Sequence, residues 1–165
     1  TTILPNGNFG PIYESEVFTE DIWISGLPRL HIDVSTATVG GQIYALLEDC
    51  SEEGYCIHIG HAIMDLRYHE GGDQEQTWLP IFDTINAKME FFAMDVQIEA
   101  GHIIRLSPAS TGEDYLPAST SSIVEVSEGS NSNLLIDIIN PEDKLLFNPP
   151  TCTHQACLDW LNQTA

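Results

Sequence analysis

The sequence is poor in positive charge: five Lys and Arg stand against 25 Asp and Glu, a net charge of −20 over 165 residues. That balance opposes binding to a polyanion such as nucleic acid, or to an anionic membrane surface. No apolar run approaches the ~18 residues of a membrane-spanning helix, so membrane insertion is not expected. The first residues, TTILPNGNFG, lack a basic stretch, a long apolar segment and an initiator Met. They do not read as a signal peptide, and a mature fragment or excised domain is expected. Signatures of catalysis are missing as well. No serine has glycines two positions before and after it, so the hydrolase nucleophile elbow is absent. His69-Glu70 is followed by Gly71-Gly72 rather than by the second histidine of HExxH. Phosphate-binding glycine loops are absent, and helical periodicity is nearly so.

What is present is period-two alternation broken by Gly, Pro and Asn turns, in a chain with 42 % apolar residues. The length suits one domain with a proper core. In PRLHIDVS, Leu30, Ile32 and Val34 face one side and His31, Asp33 and Ser35 the other. QIYALLEDC alternates Ile43, Ala45 and Leu47 against Tyr44, Leu46 and Glu48. YCIHIGHAIMDLRY is long enough for one bent strand, with a bulge or kink at Gly60. TINAKMEFFAMDVQIEAG is apolar on both faces, which predicts a strand buried on both sides or a bulge near Ala93-Met94. SIVEVSE and NLLIDIIN read as two further strands and DKLLFNPP as a short last one. The pattern predicts an all-β jelly-roll β-sandwich of about eight antiparallel strands over residues 1–150. Residues 151–165 form a tail with the length for a short helix.

The cysteines fall in two close pairs, Cys50/Cys56 and Cys152/Cys157, without CxxC spacing. Cys50 and Cys56 flank SEEGY, where a turn brings two strands together, so a cross-hairpin disulfide is expected. Of three possible pairings, two local bridges are the natural one, the second pinning the tail; buried free thiols are the alternative. Disulfides would place the domain outside the cell or at its surface. The sequon at Asn162 lies too near the terminus to add to this.

Four groups of residues bear on chemistry. The acidic balance suits a cation, calcium in particular, with Glu14 and Glu16 on one face of a strand and Asp137 from a later strand as candidate ligands. The plainer reading is a solvated acidic surface, and no other cofactor is expected. Trp78 follows the loop GGDQEQ, with Tyr68 and His69 on its other side. Such flat faces with polar rims suit stacking on carbohydrate, although a tryptophan at the rim of a core is the commoner case. His58 and His61 are an odd number apart, so on a regular strand they point to opposite faces and do not share a metal unless a bulge intervenes. The same spacing separates His102 and Arg105 in IEAGHIIRLS. Both are read as structural: His102 satisfies backbone groups where the strand starts after Gly101, and Arg105 makes an ion pair or hydrogen bond across the sheet.

Four stretches in order carry a family resemblance. They are FTEDIWISGLPRLHIDVST, GGQIYALLEDCSEEGYCIHIGHAIMDLRY, TWLPIFDTINAKMEFFAMDVQIEAGHIIRLSPAS and the later YLP. Across about residues 12–140 the chain resembles the C-terminal β-sandwich domain, galactose-binding-like in fold, of X-Pro dipeptidyl-peptidase and cocaine-esterase-like serine hydrolases. Where that family often has Gly-His-Arg, Ile103 follows His102 here. DKLLFNPP is only loosely similar to the family's closing segment, and the tail after Pro150 matches nothing. In such proteins the Ser-Asp-His machinery lies in a separate α/β-hydrolase domain. The resemblance therefore implies a non-catalytic accessory domain that packs on a hydrolase in the same polypeptide and shapes its active-site entrance. A stand-alone carbohydrate-binding module is the alternative.

Overall fold

In the computed structural model, residues 2–3, 11–70, 77–112, 115–116, 124–127 and 130–139 are described. DKLLFNPP, Cys152, Cys157 and the tail lie outside them. The described chain is all-β. Its strands are β1 (Thr2–Ile3), β2 (Tyr13–Glu14), β3 (Ile22–Gly26), β4 (Arg29–Thr36), β5 (Gln42–Cys50) and β6 (Cys56–Asp65). After a 3-10 turn at Leu66–Tyr68 come β7 (Ile85–Glu90), β8 (Met94–Ile98), β9 (Ile103–Ala109), β10 (Val124–Ser127), β11 (Asn133–Leu135) and β12 (Ile138–Ile139).

All pairings are antiparallel. One sheet centres on β4, which pairs with β7 on one side and with β10 and β11 on the other; β1 lies outside β10. A second runs β2-β9-β5-β6, and a small third runs β12-β3-β8. The alternation of β4 is realised as written: Leu30, Ile32 and Val34 are buried. They share one core with Ile43, Ala45 and Leu47 of β5, to which the small sheet adds Ile24 and Ile98. Two inward-facing apolar rows closing on each other are what holds a sandwich together.

Two stretches differ from the sequence reading for one reason. TINAKMEFFAMDVQIEAG is neither a doubly buried strand nor a bulged one. It is β7 on the β4 sheet, a link at Phe91–Ala93, and β8 on the β3 sheet. Ala87, Met89 and Phe91 point into the core in one phase and Ile98 returns to it in the opposite phase. NLLIDIIN likewise divides into β11 on β4 and β12 on β3. Strands that change sheets reverse which residues face inward, and this imitates two-sided burial. The break between β10 and β11 is spanned by Ser132, whose hydroxyl accepts from the Asp33 amide at 3.0 Å and donates to the Ser127 carbonyl at 3.1 Å.

The β5–β6 hairpin bears most directly on the site. Its register runs Leu47↔Gly60 and then Glu48↔His58, so Ile59 is an extra residue on β6: a β-bulge. Gly60 leaves room there for the Met94 methyl, which would lie 2.5 Å from an added Cβ and would have to swing aside. At the hairpin's end, directly opposed Cys50 and Cys56 form a disulfide.

Candidate functional site

The β9 segment resolves into two separate polar contacts. Gly101, at φ 89°, makes the turn before the strand, in a conformation that favours glycine. His102 then donates from Nδ1 to Asp49 Oδ1 at 2.8 Å. Asp49 shares the inward phase of Ile43, Ala45 and Leu47 on β5 and is 8 % exposed, so this carboxylate depends on its partner. The imidazole therefore meets a buried acid rather than the backbone. Arg105 lies in the opposite phase and reaches Glu14 Oε1 from Nε at 3.0 Å and Nη2 at 2.8 Å. In register, Glu14, Arg105, Glu48 and His58 form one row across the four strands.

That ion pair also bears on the calcium expectation. Glu14 is held by Arg105, Glu16 is exposed on the following segment, and Asp137 lies in the link between β11 and β12 beside Gly26. The structure does not bring Glu14, Glu16 and Asp137 together. Among the described residues no group of three His, Cys, Asp or Glu side chains is placed to hold a metal ion. A cavity of about 720 Å³ opens between the sheets near β2, β9 and β11. Its walls are core side chains such as Phe18, Ile32, Leu106 and Ile136, and its acid, Glu14, is the one already paired.

Near Tyr68, His69 and Trp78, the Thr77 N–H donates to the Arg67 carbonyl at 2.9 Å and joins the two described segments. His69 is turned back on the 3-10 turn, its Nδ1 3.0 Å from the Leu66 carbonyl. Asp65 caps that turn and receives the Arg67 guanidinium, whose hydrogen bonds hold the Asp65 carboxyl below the usual carboxylate range. Trp78 is 66 % exposed. It belongs to a stretch that also exposes Ile81 and Phe82, and this stretch is bonded to the end of β4 and the β4–β5 connection: Phe82 N–H to Thr36 O, 2.8 Å, and Leu79 N–H to Val39 O, 3.2 Å. Phe82 is 76 % exposed and sits at φ 65°, a conformation that is strained for an aromatic residue.

The bulge at Ile59 changes the outlook for the β6 histidines. His58 and His61 lie on one face, with His61 Nδ1 and His58 Nε2 3.2 Å apart. On its other side His61 Nε2 meets the Tyr115 hydroxyl at 2.8 Å. The His61 ring stacks on Tyr44, with centroids 5.8 Å apart, and meets Phe92 edge-on at 5.5 Å.

Residues 8–133 match the family model described as the X-Pro dipeptidyl-peptidase C-terminal non-catalytic domain. The chain belongs to that family. No curated protein matches this X-Pro dipeptidyl-peptidase C-terminal domain in sequence. Solved structures share its fold. A CocE/NonD family hydrolase from Staphylococcus aureus has TM-score 0.68 and 11 % identity, over 78 % of this chain and 30 % of its own. An α-amino acid ester hydrolase has TM-score 0.66 and 17 % identity, over 78 % and 25 %. An aminopeptidase from a marine sediment Thaumarchaeota archaeon has TM-score 0.66 and 15 % identity, over the same shares. The chain thus spans a quarter to a third of the length of these proteins.

Several residues of this X-Pro dipeptidyl-peptidase C-terminal domain escaped the sequence reading. Asp49 reads as the end of an alternating strand, and its pairing with His102 joins residues 53 positions apart. Tyr115 meets His61 over 54 positions, and Phe82 looks like any loop aromatic. Only the bulge had a local signal, the glycine at position 60.

Proposed function

We propose that this chain is the accessory domain of a secreted X-Pro dipeptidyl-peptidase-like or esterase-like hydrolase. It packs on an α/β-hydrolase catalytic domain of the same polypeptide, shapes the entrance to its active site, and carries no catalytic step itself. In a member of a non-catalytic domain family, the observation that carries this reading is the exposed apolar group of Val39, Trp78, Ile81 and Phe82. These side chains come from two segments tied together by backbone hydrogen bonds, and they include an aromatic held in a strained conformation. Rigid apolar anchors of this kind are what a domain interface uses. The Cys50–Cys56 disulfide accords with an extracellular setting, and among the described residues no helix is long and apolar enough to cross a membrane.

The test separates strain from docking. Phe82→Gly relieves the positive φ and should leave the melting temperature of the chain unchanged or higher. The same change should weaken association with the separately expressed hydrolase domain by roughly tenfold or more, as loss of an aromatic anchor does. Trp78→Ala should act in the same direction. Association unaffected by either substitution would overturn the reading. The exposed Trp78 also favours the carbohydrate module as a second reading. Glycan-array binding lost in Trp78→Ala would favour it, and an array without binding counts against it.

A further inference from the structure

We propose that His58 and His61 form a two-histidine site for a divalent transition-metal ion of the kind that prefers imidazole, Zn²⁺ or Cu²⁺. The site lies on the outer face of the β5–β6 hairpin and uses none of the side chains of the surface proposed for docking. The inference is independent of that role.

The first support is distance. His61 Nδ1 and His58 Nε2 are 3.2 Å apart. Two nitrogens each about 2.0–2.1 Å from a shared ion lie roughly 3.3 Å apart in tetrahedral geometry and about 2.9 Å apart as neighbours in a square plane. The observed separation falls between the two, so both nitrogens can face one ion with little movement. Without an ion the same geometry is a hydrogen bond, one ring donating to the other.

The second support is the orientation of His61. A metal-binding imidazole commonly donates its other N–H to a fixed acceptor, which sets the tautomer and holds the ring. His61 Nε2 meets the Tyr115 hydroxyl at 2.8 Å. If that nitrogen carries the proton and the hydroxyl accepts it, Nδ1 is left with its lone pair directed at His58. The ring is further held between the face of Tyr44 and Phe92. His58 supplies the exposed half, and its Nε2 becomes a ligand when the ring proton sits on Nδ1. Glu48 stands opposite His58 in the register, and the net charge of −20 adds long-range attraction for a cation.

Two protein ligands leave the other positions to water, so the bound ion is exchangeable rather than structural. Such a site depends on the bulge. With Ile59 accommodated as the extra residue, a spacing of three acts as a spacing of two and the imidazoles share a face.

The test is calorimetric titration of the 165-residue chain, disulfide intact, with Zn²⁺ and with Cu²⁺. One equivalent should bind to the wild type. His58→Ala should lose at least about tenfold in affinity, and Tyr115→Phe about tenfold, the lower end of what loss of an orienting partner costs. His69→Ala, which removes a ring already directed at a backbone carbonyl, should bind as the wild type does. Because His58 is exposed, its variant keeps the wild-type melting temperature, and this separates lost binding from lost folding. Equal binding by wild type and His58→Ala overturns the site. Unchanged binding by Tyr115→Phe overturns the positioning role given to that hydroxyl.

Discussion

β6 and β9 pair with opposite edges of β5, and each involves a histidine spaced three residues from a second polar group. The outcomes are opposite. Along β9 the register runs from Cys50↔Ile103 to Tyr44↔Ala109 without a break. Its His102 and Arg105 take separate partners, Asp49 in the inward phase and Glu14 in the outward one. Along β6 the extra residue Ile59 brings His58 and His61 onto one face within 3.2 Å. Spacing alone does not decide whether two strand residues meet; the regularity of the ladder between them does.

The largest effect expected from breaking this comparison is at His102. His102→Ala leaves the buried Asp49 carboxylate without its donor, and hydrogen bonds to charged groups are worth about 1.5–3 kcal/mol. The melting temperature should fall by roughly 3–12 °C, given about 2–4 °C per kcal/mol for a domain near this size. His58→Ala, at an exposed position, should stay within about 0.5 kcal/mol of the wild type. Thermal unfolding of the two variants side by side decides the matter. A fall in the His58 variant as large as that in the His102 variant would mean that the two strands do not differ as described.

Next comes the disulfide, which fixes the end of the bulged pair. Cys50 is opposite Cys56 on β6 and opposite Ile103 on β9, so the bridge anchors the bulged ladder beside the regular one. Closing so short a loop stabilises by about 2 kcal/mol in the chain-entropy view. Cys50→Ala with Cys56→Ala should lower the denaturation midpoint accordingly. Amide exchange should rise in β6 more than in β9, because only β6 loses its covalent tie. Equal acceleration in both strands would count against this role for the bridge.

The strands and most inward faces of this sandwich were legible because burial on one face writes a period of two into the sequence, as in Leu30, Ile32 and Val34. The disulfide was legible from two cysteines flanking a turn. Sheet changes at Phe91–Ala93 and Ile136–Asp137 were not, since a strand that reverses its inward face looks like one buried on both sides. The polar sites were the least legible. Asp49–His102, Glu14–Arg105 and His61–Tyr115 each join residues more than 50 positions apart, and local periodicity carries no register between distant strands. Glu14 was visible as an acid on a strand, which suggested a calcium ligand. Its pairing with Arg105 depends on β2 lying beside β9.

The smallest effect concerns a third close spacing, at the far end of β6. Asp65 and Arg67 are two apart and would share a face on a regular strand, yet they meet because the strand gives way to the 3-10 turn that Asp65 caps. Hydrogen bonds from Arg67 lower the Asp65 pKa below the ordinary value of 3.8. The folded state thus favours the carboxylate. Its contribution is fully present above pH ~3.8 and is lost as the pH falls through the lowered value. Asp65→Asn keeps a capping oxygen and removes the charge, so it should lower the melting temperature slightly at neutral pH. The effect is small because both side chains are about a third exposed, where solvent screens the pair. The gap between variant and wild type should close on titration to acid, below the ordinary aspartate range. A gap that persists there would assign the effect to the cap rather than to the charge, and would make this end of β6 a matter of turn geometry alone.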